Sequence, residues 1–200
     1  MTIDLSDRQL EIIEVSGKIL MQKGVAGLTT KNLAKEMNFS ESALYRHFKD
    51  KEEIITHLIS YLSENINQRF ESIINTDLSA EEKFNQLFKS QFSFFKANPH
   101  FIVIVLSEGL LDNSETIKNT ILKLMQTNAM AIKKIILQGQ ESKLFNPTID
   151  SEYLVHFIMG TFRLQMLKWK LANFDFNIEK KGIETMKNLL KLIKNQNFIK

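Results

Sequence analysis

Along most of the chain, apolar residues return at steps of three and four, the spacing that keeps side chains on one face of an α-helix. One such stripe is Leu10, Ile13, Gly17 and Leu20, another is Ile55, Ile59, Leu62, Ile66, Phe70 and Ile73, and a third is Phe84, Leu87, Phe88, Phe92 and Phe95. The same spacing marks a long helix from about 115 to 141, with Ile117, Ile121, Leu124 and Met125, and a last helix over 178–195, with Ile183, Met186, Leu190 and Ile193. Residues that can accept from free backbone N–H groups stand where several of these stripes begin. Ser6 precedes Gln9, Asp50 precedes Glu53 and Ser79 precedes Glu82, each the pattern of a capping box. Gly24 is placed to close the first helix, and the Asn98-Pro99 pair ends the helix that starts after Ser79.

Two segments depart from a single stripe. The run FIVIVL at 101–106 would suit a buried strand, but Pro99 fits a first helical turn and no second strand-like run offers a partner, so a helix is predicted. Residues 151–172 carry Leu154, Val155, Phe157, Ile158, Met159, Phe162, Leu164, Met166, Leu167 and Trp169, too many for one face, which predicts a helix covered from two sides. A loop is expected around Phe145 and Pro147. With 7 Gly and 2 Pro in 200 residues, the turn-makers of a many-stranded sheet are missing. The fold class is therefore all-α, with about nine helices in two domains: a three-helix head over residues 1–49 and a helical body over residues 50–200.

The densest local pattern lies at 29–47. Thr29 can cap one short helix, Asn38 can take the left-handed conformation at its end, and Ser40 can cap a second. Two short helices across so tight a turn are what a helix-turn-helix requires. Ala34 is small enough for a close crossing, and Leu33, Met37, Phe39, Leu44 and Phe48 are positioned to bury the inner faces. The outer face of the second helix is left polar, with Glu41, Ser42, Tyr45, Arg46 and His47.

Charge changes this picture little. The net charge of +3 is compatible with nucleic acid, yet residues 29–51 hold five basic against three acidic side chains while residues 179–200 hold six against two. Cysteine is absent, which excludes disulfides and thiolate metal sites. The first residues, MTIDLSDRQLEIIEV, carry acids rather than a basic flank and an apolar run, and no stretch of about 18 apolar residues occurs, so a cytoplasmic protein with no membrane association is expected. His47, His57, His100 and His156 lack ligand spacing such as H-x-x-x-H, and neither a glycine-rich phosphate loop nor a G-x-S-x-G elbow is present. No enzyme, no metal and no cofactor is expected.

From Leu28 to Glu53 the string LTTKNLAKEMNFSESALYRHFKDKEE resembles, without a gap, the DNA-binding region of the tetracycline-repressor (TetR) family. The family's usual turn glycine is here Asn38, which tolerates positive φ better than other non-glycine residues. The resemblance implies a ligand-released transcriptional repressor that binds a palindromic double-stranded DNA operator as a homodimer, its recognition helices about 34 Å apart. It also implies that Glu41, Ser42 and Ala43 face base edges while Thr29, Tyr45, His47 and Lys51 contact phosphates. Taken alone, Tyr45 would read as a packing residue; the surrounding motif reverses that.

For the body the family implies a four-helix bundle between subunits, made from residues 151–172 and 178–195 of each. The candidate pocket rests on its aromatic and methionine side chains, Phe88, Phe92, Phe95, Phe101, Met125, Met130, Phe162, Met166 and Trp169, with His100, His156 and Arg163 as candidate polar anchors. Such a lining suits an apolar or amphipathic small-molecule effector. The alternative is a helical small-molecule or lipid-binding protein that does not bind DNA; it would explain the Phe-rich body but not the capped, polar-faced head.

Overall fold

The computed structural model describes residues 5–107, 110 and 114–195. Among them are nine helices: α1 (Asp7–Gly27), α2 (Thr30–Met37), α3 (Glu41–Leu44), α4 (Lys51–Ile74), α5 (Ala80–Ala97), α6 (His100–Val105), α7 (Glu115–Glu141), α8 (Ser151–Leu171) and α9 (Ile178–Ile193). The only extended pairing among these residues is an isolated bridge between Phe145 and Lys194. FIVIVL is helical as expected, opening directly after Pro99 at φ −66°.

The capping residues behave as their chemistry requires. Ser6 Oγ accepts from Gln9 N while Gln9 Oε1 accepts from Ser6 N at 3.1 Å, a reciprocal box. Ser79 and Glu82 repeat it, with Ser79 N donating to the Glu82 carboxylate at 3.0 Å. At the start of α4, Asp50 Oδ1 accepts from Glu53 N at 2.8 Å, but the Glu53 carboxylate reaches one residue further back than a closed box requires, to Lys49 N. Gly24, at φ 63° and ψ −169°, breaks the regular helix as its position suggested; one further helical turn follows it to Gly27, so α1 ends later than the glycine.

The chain forms two compact units, Met1–Asn65 with Asn98–Leu124 and Ile66–Ala97 with Met125–Lys200. The first half of α4 buries Ile54, Ile55, Leu58, Ile59 and Leu62 within the first unit, and α6 packs on α1 there. In the second unit α9 packs on α5 and α8, and the Phe92 ring fills the space beside Gly182, where a Cβ would lie 2.4 Å from the ring. Phe145, fully buried, closes on Gly139 in the same way.

Candidate nucleic-acid interface and effector site

The helix-turn-helix is built by short-range hydrogen bonds. Thr29 Oγ1 accepts from Asn32 N at 3.1 Å, and Ser40 Oγ accepts from Ala43 N at 3.2 Å, so each short helix carries its own cap. Between them Asn38 sits at φ 55° and ψ 39°, and Phe39 N returns to Ala34 O at 2.8 Å, closing α2 in a left-handed turn. Leu33, Ala34, Met37, Leu44 and Phe48 are buried. Phe39 is only half-buried, because its ring lies under the Arg8 guanidinium at 5.2 Å instead of inside the core. Gln9 Nε2 donates to His47 O at 3.2 Å, tying α1 to the turn after α3.

The recognition helix itself is brief. After Glu41–Leu44 the backbone tightens, with Arg46 N donating to Ala43 O and His47 N to Leu44 O. Glu41 and Ser42 are exposed and Ala43 is half-exposed, so all three can be reached from solvent. The Glu41 carboxylate accepts from Thr30 Oγ1 at 2.9 Å, and the Ser42 and Ser40 hydroxyls lie 2.9 Å apart, which holds both side chains in place. Tyr45 is 52% exposed, Thr29 is exposed and His47 is half-buried. Lys51 Nζ donates to Val25 O at 2.9 Å, and partial burial pulls its pKa below the ordinary lysine value. An ammonium has three donors, so two remain for other acceptors.

In the second unit, Phe88, Phe92 and Phe95 on α5 surround Phe162 on α8, with ring centroids 5.9, 5.3 and 6.1 Å from it. These four are the candidate pocket residues that the structure brings together. Met166 and Trp169 are buried too, but Trp169 serves a local closure, donating from Nε1 to Phe176 O at 3.0 Å and meeting Phe174 edge-on. Phe101 belongs to the first unit, where it stacks on Tyr61. Met125 and Met130 are exposed, Met130 by 60%. Each follows or precedes a buried residue of α7 by one step, and one step turns a helix by about 100°. Of the polar anchors, His156 and Arg163 are exposed, whereas His100 is half-buried against Gly17.

Two polar groups of this unit were not singled out from the sequence. The Arg69 guanidinium on α4 donates to Ser90 Oγ and Gln91 Oε1, both at 2.8 Å, and stacks 4.4 Å above Phe94; burial lowers its pKa to about 10. Asn128 Oδ1 on α7 is buried with no hydrogen-bond partner in the protein. Its signal was present in the sequence as an amide set into the apolar stripe of Ile117, Ile121, Leu124, Ala131, Ile132 and Ile135.

Residues 12–58 match the family model of bacterial regulatory proteins of the tetR family, and residues 80–168 match the tetracyclin repressor-like C-terminal domain. The chain belongs to the tetR family. As a tetR-family protein it is a DNA-binding transcriptional regulator, and the first match spans the helix-turn-helix described above. It is similar to the nucleoid occlusion factor SlmA of Aliivibrio fischeri (strain MJ11), 26% identical over 173 residues, 85% of this chain and 87% of that protein. SlmA of Vibrio cholerae is 23% identical over 173 residues, with the same coverage of both chains. Among solved structures, this tetR-family chain shares its fold with the fatty acid degradation regulator FadR from Bacillus halodurans, at TM-score 0.84 and 17% identity over 94% of this chain and 97% of that one. FadR from Bacillus subtilis in complex with stearoyl-CoA superposes at TM-score 0.80 and 16% identity, over 92% and 98%. No helix among the described residues is long and apolar enough to cross a membrane.

Proposed function

We propose that this tetR-family regulator is a homodimeric repressor that holds a palindromic operator and leaves it when an apolar or amphipathic small molecule binds. The observation that carries the DNA-binding half is the accessible surface of Glu41, Ser42 and Ala43 on a helix fixed by the Ser40 cap and the Asn38 turn. In this reading Glu41, Ser42 and Ala43 face base edges, with Ala43 against a thymine methyl and Glu41 able to accept from a cytosine N4 group. Thr29, Tyr45, His47 and Lys51 contact phosphates and set affinity and register; Lys51 would use the N–H donors left over from Val25.

Dimerisation is supported by α8. Tyr153, Phe157, Leu164, Leu167 and Leu171 are all exposed, and with Gly160 they follow steps of four and three along one seam. Eighteen residues of rise make that seam about 27 Å long, and Leu192 adds an exposed apolar residue on α9. A partner copy would cover it. The effector reading is supported by the Phe88, Phe92, Phe95 and Phe162 cluster and by the likeness to FadR, one structure of which holds stearoyl-CoA. Release follows if the effector binds more tightly to a state in which α4, shared by both units, is tilted and the spacing of the heads is changed. A tenfold loss of operator affinity needs about 1.4 kcal/mol of such differential binding. The protein would then act in the cytoplasm, without catalysis.

The test is binding to a palindromic fragment from upstream of the protein's own gene across a salt series, with and without stearoyl-CoA. Binding that weakens steeply with salt supports the reading, since phosphate contacts release counterions. A protein that remains monomeric, or that ignores DNA at low ionic strength without effector, defeats it. A second reading, favoured by the likeness to SlmA over most of both chains, is that the chain is itself a nucleoid occlusion factor. It is abandoned if cells lacking the gene place their division sites normally.

A further inference from the structure

Asn128 stands where α7 is otherwise apolar. Leu124, Ala131, Ile132 and Ile135 on either side of it are buried, and its Oδ1 is shut away from solvent without a donor. A buried acceptor left unpaired costs stability, so an apolar residue of similar size would suit folding better at this position.

Three ties within the second unit locate it. Arg69 of α4 meets Ser90 and Gln91 of α5, Glu71 of α4 meets Lys134 of α7, and Lys83 of α5 meets Gln138 of α7. Helices α4 and α5 are joined by a short turn and run antiparallel, so the level of Glu71 on α4 corresponds to about residue 88 on α5. Lys134 is therefore level with the Phe88 turn and Gln138 with Lys83, which makes α5 and α7 antiparallel. Counting ten residues back from Gln138 at 1.5 Å each brings Asn128 about 15 Å along the helix, level with residue 93 or so of α5. That is the turn carrying Phe92 and Phe95, two of the rings around Phe162.

We propose that Asn128 is the polar anchor of the effector: its Oδ1 accepts a hydrogen bond from a hydroxyl or N–H group of a ligand whose apolar part lies against the Phe92, Phe95 and Phe162 rings. The ligand class is an apolar molecule bearing a hydrogen-bond donor, as distinct from a plain hydrocarbon or an acceptor-only ether. This deepens the effector-released reading and rests on it only for the consequence on DNA.

The probes are 2-naphthol, which donates, and 2-methoxynaphthalene, which cannot, titrated into the full-length protein by calorimetry. Wild type should favour 2-naphthol, and Asn128→Leu should reduce that preference by about fivefold, the loss of one net hydrogen bond. Asn128→Leu should also melt at a higher temperature than wild type. Asn128→Ala, which adds no bulk, should lose the same preference and guards against a packing artefact of leucine. A preference of equal size in wild type and both variants, no preference in wild type, or no binding of either naphthalene overturns the proposal; equal affinities are what a resident water on Oδ1 would produce. Operator binding is measured in parallel. If wild type never binds DNA, the repressor reading fails while the naphthol preference still decides the role of Asn128.

Discussion

The helix pair α2 and α3 and the long helix α8 both turn part of their surface to solvent, with opposite chemistry. On α3 and the turn that follows it the exposed side chains are Glu41, Ser42, Tyr45 and Arg46, and two of them are already held by hydroxyls of their own unit. On α8 the exposed seam is Tyr153, Phe157, Leu164, Leu167 and Leu171, with no polar residue at these positions except through the tyrosine hydroxyl. A polar surface is stable in water by itself and can meet a hydrated, charged partner and leave it again. An apolar seam gains only when another apolar surface removes it from water. The two regions therefore suit two kinds of association, a reversible one at the head and a lasting one at α8.

The largest effect should come from spoiling the seam. Leu164→Glu combined with Leu171→Glu places four charges across a two-fold interface and removes four leucines from it, on the order of 6 kcal/mol at ~1.5 kcal/mol each. Ultracentrifugation should then find a folded monomer, and operator affinity should collapse with it. If the double variant sediments like wild type, the seam is not the interface, and the contrast with the head loses its meaning.

Next in size is the aromatic interior of the second unit. Phe92→Ala empties a fully buried ring site between Phe88, Phe162 and Gly182 and should cost about 3–5 kcal/mol of stability. Denaturant unfolding measures it. A loss under ~1 kcal/mol would mean that the cluster relaxes around the gap, as a loosely filled effector site would.

The helix-turn-helix was legible because its caps and its turn are local: Thr29, Asn38 and Ser40 act on residues no more than five positions away. Long stripes such as Phe84 to Phe95 were legible for the same reason. What escaped is tertiary. That α6 packs on α1, and that the first unit takes in residues 98–124, depends on contacts over some eighty positions, which no periodicity records. Met125 and Met130 read as pocket residues by type, yet a step of one along α7 turns them into solvent. Asn128 looks like an ordinary surface amide in a helix until its neighbours are seen to be buried.

Within the head, the proposed division of labour can be sharpened by pairing two variants. Tyr45→Ala should weaken binding to every DNA sequence alike, with a shallower salt dependence if the tyrosine orders a phosphate contact. Ser42→Ala should leave average affinity nearly intact and alter preference at one base pair, by about 1–3 kcal/mol of discrimination. Selection from randomised operators reads both. Equal changes of preference in the two variants would refute the assignment of base and phosphate roles.

The smallest effect concerns pH and separates the first unit from the rest. The His100 ring sits against Gly17, where an added Cβ would lie 2.9 Å from Cδ2, and it meets the Phe101 ring at a tilt of 40°, with centroids 4.3 Å apart. Burial holds its pKa below the ordinary 6.5. The unfolded chain therefore takes up a proton as pH falls through 6.5, whereas the folded chain does so only at lower pH. Stability tied to this group is complete above pH 6.5 and is lost as pH falls toward the folded value. Replacing it with glutamine, His100→Gln, removes the titration, so the melting temperature of wild type should fall more than that of the variant between pH 7.5 and 5.5, by a few degrees at most. Carboxylates titrate equally in both proteins and cancel in the difference. Parallel curves would show that the folded ring protonates as readily as the unfolded one, and that the seat between α1 and α6 is wetter than its packing indicates.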